Sequence, residues 1–229
     1  MRKPLLIASA LGAAWASPAP APIAPSIARA LRISRHNRDS GGVAVTFDDG
    51  PHPQGTPAVM DALRNAGARA TFFLVGEQVD RNRSLAAEIV AAGHSVAVHG
   101  YRHRNLLRLT PRQFAADLER GIVTISDSTG VQPTVFRPPY GIFSAAGVRI
   151  VRRRGLRLLL WSRWGHDWRT RTTPGAIASE VSSGLRGGDV LLLHDADHYS
   201  ASGSWQRTAA ALPMILEAIE AAGLRAIAI

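Results

Sequence analysis

The sequence predicts an α/β fold, a parallel sheet of βαβ units either left open or closed into a barrel. Three observations carry this. From Val43 to Ile229, short β-branched or aliphatic runs alternate with stretches whose apolar residues recur at helical spacing. Thr56-Pro57, Thr110-Pro111 and Thr173-Pro174 each set a threonine at a helix N-cap and a proline at the first helical position. Gly67, Gly93, Gly155 and Gly223 then close helices just ahead of the next run.

In chain order, Arg2 and Lys3 precede an apolar stretch, Leu5 to Ala16, that ends Ala14-Trp15-Ala16-Ser17. A short positive region, an apolar core and a small-x-small site have the form of a secretory signal, and the stretch is short for a bilayer span. The Pro/Ala segment Pro18 to Pro25 reads as a stiff linker. Residues 1–41 are therefore assigned to a signal-like and linker segment and 42–229 to a single domain. Export is expected, the product being secreted or held at the cell envelope, with peripheral or N-terminal membrane association left open. Seven strands follow: Val43–Phe47, Ala70–Val75, Ser95–His99, Thr134–Arg137, Arg157–Trp161, Asp189–His194 and Leu224–Ile229. Val59, Leu63 and Ala66 make one helix face, and Phe114, Leu118, Ile122 and Ile125 another.

Composition narrows the chemistry. Of the 229 residues, 46% are hydrophobic and 19% charged, which is ordinary globular usage. There is no cysteine, which excludes disulfides, thiolate nucleophiles, iron–sulfur clusters and Cys-type zinc sites. Any metal must be held by His, Asp or Glu. The formal charge is +10, and every cation except Lys3 is an arginine. These arginines are scattered, and the densest run, Arg152-Arg153-Arg154, lacks the interleaved aromatics that stack bases. Nucleic acid is not an expected partner.

Asp48 and Asp49 follow the first strand, His99 ends the third, Arg137 the fourth and His194 the sixth, while Asp167 lies just past the fifth. A barrel gathers these carboxyl ends around one mouth. Two adjacent carboxylates repel unless a cation neutralises one or a proton is shared, and Arg137 is the simplest counter-ion. His99 and His103 stand four apart; a helical turn at His103 would aim both rings at one centre beside Asp49. Such a His-His-Asp set leaves positions open for water and substrate. In Leu191-Leu192-Leu193-His194, Leu192 and His194 share a strand face. Asp167, followed by Trp168, offers His194 a carboxylate that fixes its tautomer.

Jointly, Thr46–Gly50, His99–His103, Arg137–Gly141, Asp167-Trp168 and Leu192–Asp195 resemble, in order, the five motifs of the polysaccharide deacetylases with a NodB homology domain, carbohydrate esterase family four. The resemblance covers residues 42 to 229. It implies a distorted (β/α)7 barrel, TIM-barrel-like with parallel strands. It also implies Asp49, His99 and His103 as ligands of one divalent metal ion, zinc foremost, with cobalt or another divalent ion able to stand in. Asp48 would be the general base and His194 the general acid, with Arg137 orienting Asp48 and Asp167 orienting His194. Trp168 and Leu192 would hold the acetyl methyl, and the Tyr140 backbone N–H the oxyanion. Many relatives carry an acidic residue three positions before the motif-four aspartate; this chain has Trp164.

The expected activity is metal-dependent hydrolysis of N-acetyl groups from N-acetylglucosamine units of peptidoglycan or a chitin-like polymer, by a monomer. The alternative is O-acetyl removal from xylan or an exopolysaccharide with the same site. A metallophosphoesterase would want two metals, and these motifs supply ligands for one. A non-catalytic sugar binder would have no use for both Asp48 and His194.

Overall fold

The computed structural model describes residues 12–38 and 41–229. Among them the strands are β1 (Gly42–Asp48), β2 (Thr71–Leu74), β3 (Ser95–Val98), β4 (Val135–Phe136), β5 (Arg157–Leu158), β6 (Arg163–Trp164), β7 (Val190–His194) and β8 (Arg225–Ile227). They form one sheet in the order β5-β4-β3-β2-β1-β7-β6, with β8 set against β1. All pairings are parallel. The sheet curls into a distorted (β/α)7 barrel, the fold expected above. The helices are α1 (Pro25–Ala30), α2 (Gly55–Asn65), α3 (Gly76–Arg81), α4 (Arg83–Ala91), α5 (Pro111–Thr129), α6 (Ala145–Arg153), α7 (Pro174–Ser182) and α8 (Ser204–Ala221).

Every residue of β1 is buried, which is why this central parallel strand reads as a continuous apolar run rather than an alternation. Its register sets the site. Asp48 stands opposite Phe73 of β2 on one side and His194 of β7 on the other. An acid and an imidazole thus end neighbouring strands at one level. Lower down, Ala44 faces Val190 on one side and Ile227 on the other, so β8 wedges in beneath β2. The Ile229 N–H closes that joint on Thr71 Oγ1 at 2.8 Å.

Where seven strands were expected, the described residues hold eight. Only Arg157–Leu158 of the run Arg157–Trp161 pairs with β4. The chain then leaves the ladder and pairs again, as Arg163–Trp164, with β7. One extended stretch serves both edges of the sheet, so the barrel closes through covalent continuity and not through a full ladder.

Helix ends follow local chemistry at two of the three Thr-Pro signals. Thr110 and Gln113 form a reciprocal capping box ahead of α5, and Thr173 caps α7 through the Ala176 N–H. Thr56 does not cap: α2 begins at Gly55. Its hydroxyl instead accepts the His52 N–H at 2.7 Å and donates to Asp195. The first part of the apolar stretch Leu5 to Ala16, up to residue 11, lies outside the described residues. The Pro/Ala segment after it does not stand off as a spacer. Ala21, Ala28 and Ile33 are buried in the core, because the segment lies against the barrel wall. Among the described residues no helix is long and apolar enough to cross a membrane.

Candidate active site

The carboxyl ends of the strands surround a cavity of about 290 Å³. Its lining includes Asp48, Asp49, His99, His103, Tyr140, Trp168, Leu192 and His194. Arg137 and Asp167 stand behind it with no exposed surface. The ten residues singled out in the sequence are thus brought together at one place.

Beyond β1 the chain turns at Asp49, whose φ of 80° is a left-handed conformation that costs a residue with a Cβ. The turn sets Asp49 Oδ1 at 3.5 Å from His99 Nε2 and 3.2 Å from His103 Nε2. Asp49 Oδ1 is buried and, among the described residues, has no hydrogen-bond partner. A buried carboxylate oxygen without a donor, facing two ring nitrogens, suits a cation. The His99 Nδ1–H donates to the Arg137 carbonyl at 2.9 Å, which fixes the tautomer and leaves the Nε2 lone pair toward Asp49. Burial, the larger influence, holds His99 down at about 4, so it is neutral and able to ligate. Burial alone would raise the Asp49 carboxyl; the imidazoles of His103, His194 and His99 outweigh it and hold the group well below the usual carboxylate range.

His103 does not sit on a helical turn. It lies in a loop that reverses at Gly100, φ 91°. Asp117 of α5 holds that loop by accepting the Tyr101 N–H at 2.9 Å and the Arg102 N–H at 3.2 Å. The His103 Nδ1 finds no hydrogen-bond partner among the described residues. Ring packing orients it instead: Tyr199 stacks on it at 4.2 Å and 9°, and Tyr140 meets it edge-on at 4.5 Å. Tyr199 is in turn held by Glu77, which accepts from its hydroxyl at 2.7 Å, and by Gln78, which donates to it at 2.9 Å.

Arg137 donates through Nη1 to Asp48 Oδ1 at 2.6 Å and to Thr46 Oγ1 at 2.9 Å, and its guanidinium lies 3.9 Å from the centre of the Phe73 ring. Removing one partner of such a buried pair costs about 3–5 kcal/mol, because the other charge is left uncompensated. Across the cavity the His194 Nδ1–H donates to Asp167 Oδ1 at 2.9 Å. Asp167 Oδ2 accepts the His194 backbone N–H at 2.7 Å and the Thr208 hydroxyl at 2.8 Å. Burial works against a charged His194, but Asp167, with Asp49 and Asp48 beyond it, pushes the imidazole up to about 10. It is therefore an acid at neutral pH.

Trp168 meets His194 edge-on at 5.5 Å, and Leu192, nearly buried, lies below them. Together they give the cavity an apolar side beside its acid–base groups. Trp164, at the position that departs from the motif, donates its indole N–H to His166 Nε2 at 2.7 Å, and His166 Nδ1 pairs with Glu180 at 2.9 Å. Tyr140 sits at φ 61° in the Pro139–Gly141 turn with its ring exposed. Sequence reading missed Tyr199, Ser200 and Trp161 in the lining, and Asp117, Asp195 and Thr208 behind it. Asp195 apart, none of these belongs to a periodic or spaced pattern. Asp195 ends the Leu192–Asp195 motif without a role read for it: a Cβ on Gly50 would collide with its carboxylate, so it packs directly behind the Asp48-Asp49 turn.

The family model described as polysaccharide deacetylase matches residues 35–159. The chain belongs to the polysaccharide deacetylase family. It is 34% identical over 185 residues to a peptidoglycan-N-acetylglucosamine deacetylase of Bacillus cereus, covering 80% of this chain and 84% of that protein. It is 30% identical over 199 residues to a chitooligosaccharide deacetylase of Azorhizobium caulinodans, covering 84% and 94%. The chain spans about a third of the length of some other curated relatives. Among solved structures, a family 4 carbohydrate esterase from Streptomyces lividans in complex with acetate superposes with a TM-score of 0.74 at 34% identity, covering 82% of this chain and 92% of that one. These curated relatives are carbohydrate N-deacetylases, which are hydrolases, and this chain is one by fold and sequence.

Proposed function

We propose that this protein is a metal-dependent N-deacetylase that releases acetate from N-acetylglucosamine units of peptidoglycan or a chitin-like polymer. The observation that carries the reading is the meeting, in one cavity, of a buried Asp49 Oδ1 without a hydrogen-bond donor between two imidazoles, an Asp48 held by Arg137 and a His194 held by Asp167. The deacetylases of Bacillus cereus and Azorhizobium caulinodans support the substrate class.

A divalent ion held by Asp49, His99 and His103, zinc in the first instance, would supply Lewis-acid polarisation of the acetyl carbonyl and acidify water there. Asp48 accepts the proton of the attacking water through Oδ2, while Oδ1 stays on Arg137. The Tyr140 N–H donates to the oxygen on which charge develops, a contribution worth roughly 3–4 kcal/mol per donor in comparable sites. His194 then gives a proton to the departing nitrogen, and the products are acetate and a free amine. Trp168 and Leu192 exclude water from the methyl side. Residues 42–229 form the catalytic domain, which acts as a monomer, and the signal-like start of residues 1–41 directs export to the envelope.

Acetate release from chitin oligomers, peptidoglycan and acetylated xylan, each with chelator and with added zinc, tests the reading. Release from the first two that chelator abolishes and zinc restores is expected. Release from acetylated xylan alone would transfer the activity to ester substrates, and full activity after exhaustive chelation would remove the metal from it. Mass spectrometry of the native N-terminus tests export. A soluble chain that still begins at residue 1 or 2 refutes it.

A further inference from the structure

When the chain leaves the sheet after Leu158, the carbonyls of the next residues need donors from outside the ladder. Arg137 supplies two, Nε to the Leu159 oxygen at 3.3 Å and Nη2 to the Leu160 oxygen at 3.0 Å. The third, the Trp161 oxygen, is taken by Arg35 Nε at 3.0 Å. Arg35 arrives there because Ser34 pairs with this same stretch as a short parallel bridge: its N–H donates to the Leu158 oxygen at 3.2 Å, and its oxygen accepts the Leu160 N–H at 2.8 Å. The stretch 158–161 is therefore clamped between two arginines, one on the cavity side and one on the side of the N-terminal segment. Further back, a Cβ on Gly141 would lie 2.8 Å from Pro22 and 2.5 Å from the Trp161 ring, so the Pro/Ala segment also backs the turn that carries Tyr140.

We propose that residues 18–35, ahead of the barrel, are a working part of the catalytic centre, and that Arg35 is a positioning residue for the Arg137–Asp48 pair. The physical chain is short. Arg35 and Ser34 fix the 158–161 stretch, and two carbonyls of that stretch fix the Arg137 guanidinium. Arg137 Nη1 in turn fixes Asp48 Oδ1 at 2.6 Å. Loosening the outer clamp lets the Arg137 guanidinium drift and misaligns Asp48; Asp49 and His103 do not touch this stretch, and His99 is held by the Arg137 backbone carbonyl and not by its guanidinium, so the three donors stay in place. The proposal rests on the reading of Asp48 as the base.

The test uses the full chain loaded with zinc and compares Arg35→Ala, Arg35→Lys and Ser34→Pro for kcat, KM, bound metal and Tm. Arg35→Ala should lower kcat about tenfold, since misplacement of a catalytic group by a fraction of an ångström has effects of this order. KM and the single bound ion should be unchanged. Arg35→Lys should recover part of the loss, because an ammonium can still donate one bond to the Trp161 oxygen. Ser34→Pro removes the N–H that pairs with Leu158 and should act like Arg35→Ala; if it fails to fold, the two Arg35 variants decide alone. Wild-type kcat in Arg35→Ala overturns the proposal, as does a loss of metal in step with kcat or an equal loss in the Ala and Lys variants. A wild-type chain that releases no acetate, or an Asp48→Asn variant at full rate, would show that the underlying reading had failed, an outcome distinct from an inert Arg35.

Discussion

Among the described residues, two groups of side chains bring imidazoles and a carboxylate within 4.8 Å of one another, Asp49-His99-His103 and His52-Asp197-His198. Their protons are committed differently. His99 gives its Nδ1–H to a carbonyl, which can only accept, so Nε2 keeps a lone pair facing Asp49. His52 Nδ1 accepts the backbone N–H groups of Gln54 at 3.2 Å and Gly55 at 2.9 Å, so its proton sits on Nε2, which points at Asp197 at 3.4 Å. That ring is a hydrogen-bond strut at the start of α2. Burial, with His198 beside it, pushes the His52 pKa down and keeps the ring neutral in this role. Proximity of ligand-type residues is common to both groups, but the buried His99 keeps a lone pair facing its carboxylate and His52 does not.

The largest expected effect sharpens this contrast. His99→Ala or His103→Ala should abolish both metal binding and acetate release, whereas His52→Ala and His198→Ala should keep one divalent ion per chain and near-normal turnover. Elemental analysis beside an activity assay checks it, and two ions per wild-type chain would erase the distinction.

Next in size are the proposed acid and base, His194 and Asp48, that flank the first group. Asp48→Asn and His194→Ala should each reduce turnover roughly 10²–10⁴-fold while the ion stays bound. If Asp48→Asn empties the site instead, Asp48 and Asp49 have exchanged roles.

The apolar side of the cavity should yield a smaller effect. Leu192→Ala enlarges the slot beside Trp168, and the preference for acetyl over propionyl glucosaminide should shift by 10–200-fold at most. Trp168→Ala opens the slot to water and should lower activity on both substrates. An unchanged preference in both variants would place the slot elsewhere, around Trp164.

The pH profile comes after these. His194, pushed up to about 10, is the acid form below that value, so activity should fall as pH rises through its pKa. A cation at Asp49 opposes the same positive charge, so the metal-loaded enzyme should lose activity at a lower pH than that value. Asp167→Asn removes the carboxylate that raises the imidazole and should move the alkaline limb down by about one to two units. An unmoved limb would show that another group donates the proton. The smallest effect falls on the second histidine group. His52→Ala strands two N–H groups at the start of α2 and should cost about 1–3 kcal/mol by chemical denaturation, with no change in bound metal.

How far the site could be read in advance follows from how its residues are held. Asp48, His99, Arg137 and His194 are placed by strand ends, and strand ends are visible as the points where apolar runs stop. His103 was legible by spacing but not by conformation, because its loop is held by Asp117 from α5. Tyr199 and Thr208 act through contacts with partners far away along the chain, and nothing local marks them; Asp195 lay in a motif, but its bond to Thr56 did not show there. Thr56 was misread for the same reason: its hydroxyl had two satisfactory uses, and Asp195 drew it away from the cap.

By itself the sequence determined the alternation of strands and helices, the helix ends at Thr110 and Thr173, and the residue types at each strand end. These depend on side-chain period and on hydrogen bonds spanning only a few residues. Tertiary structure alone decided which imidazole nitrogen keeps a lone pair, since that depends on whether a distant carbonyl or a nearby N–H faces the other nitrogen. It decided too that the stretch after Leu158 leaves the ladder and that Ser34 and Arg35 return to meet it. Once strand pairing ends, each buried carbonyl takes whatever donor the packed chain brings within reach, and a linear pattern does not encode that reach.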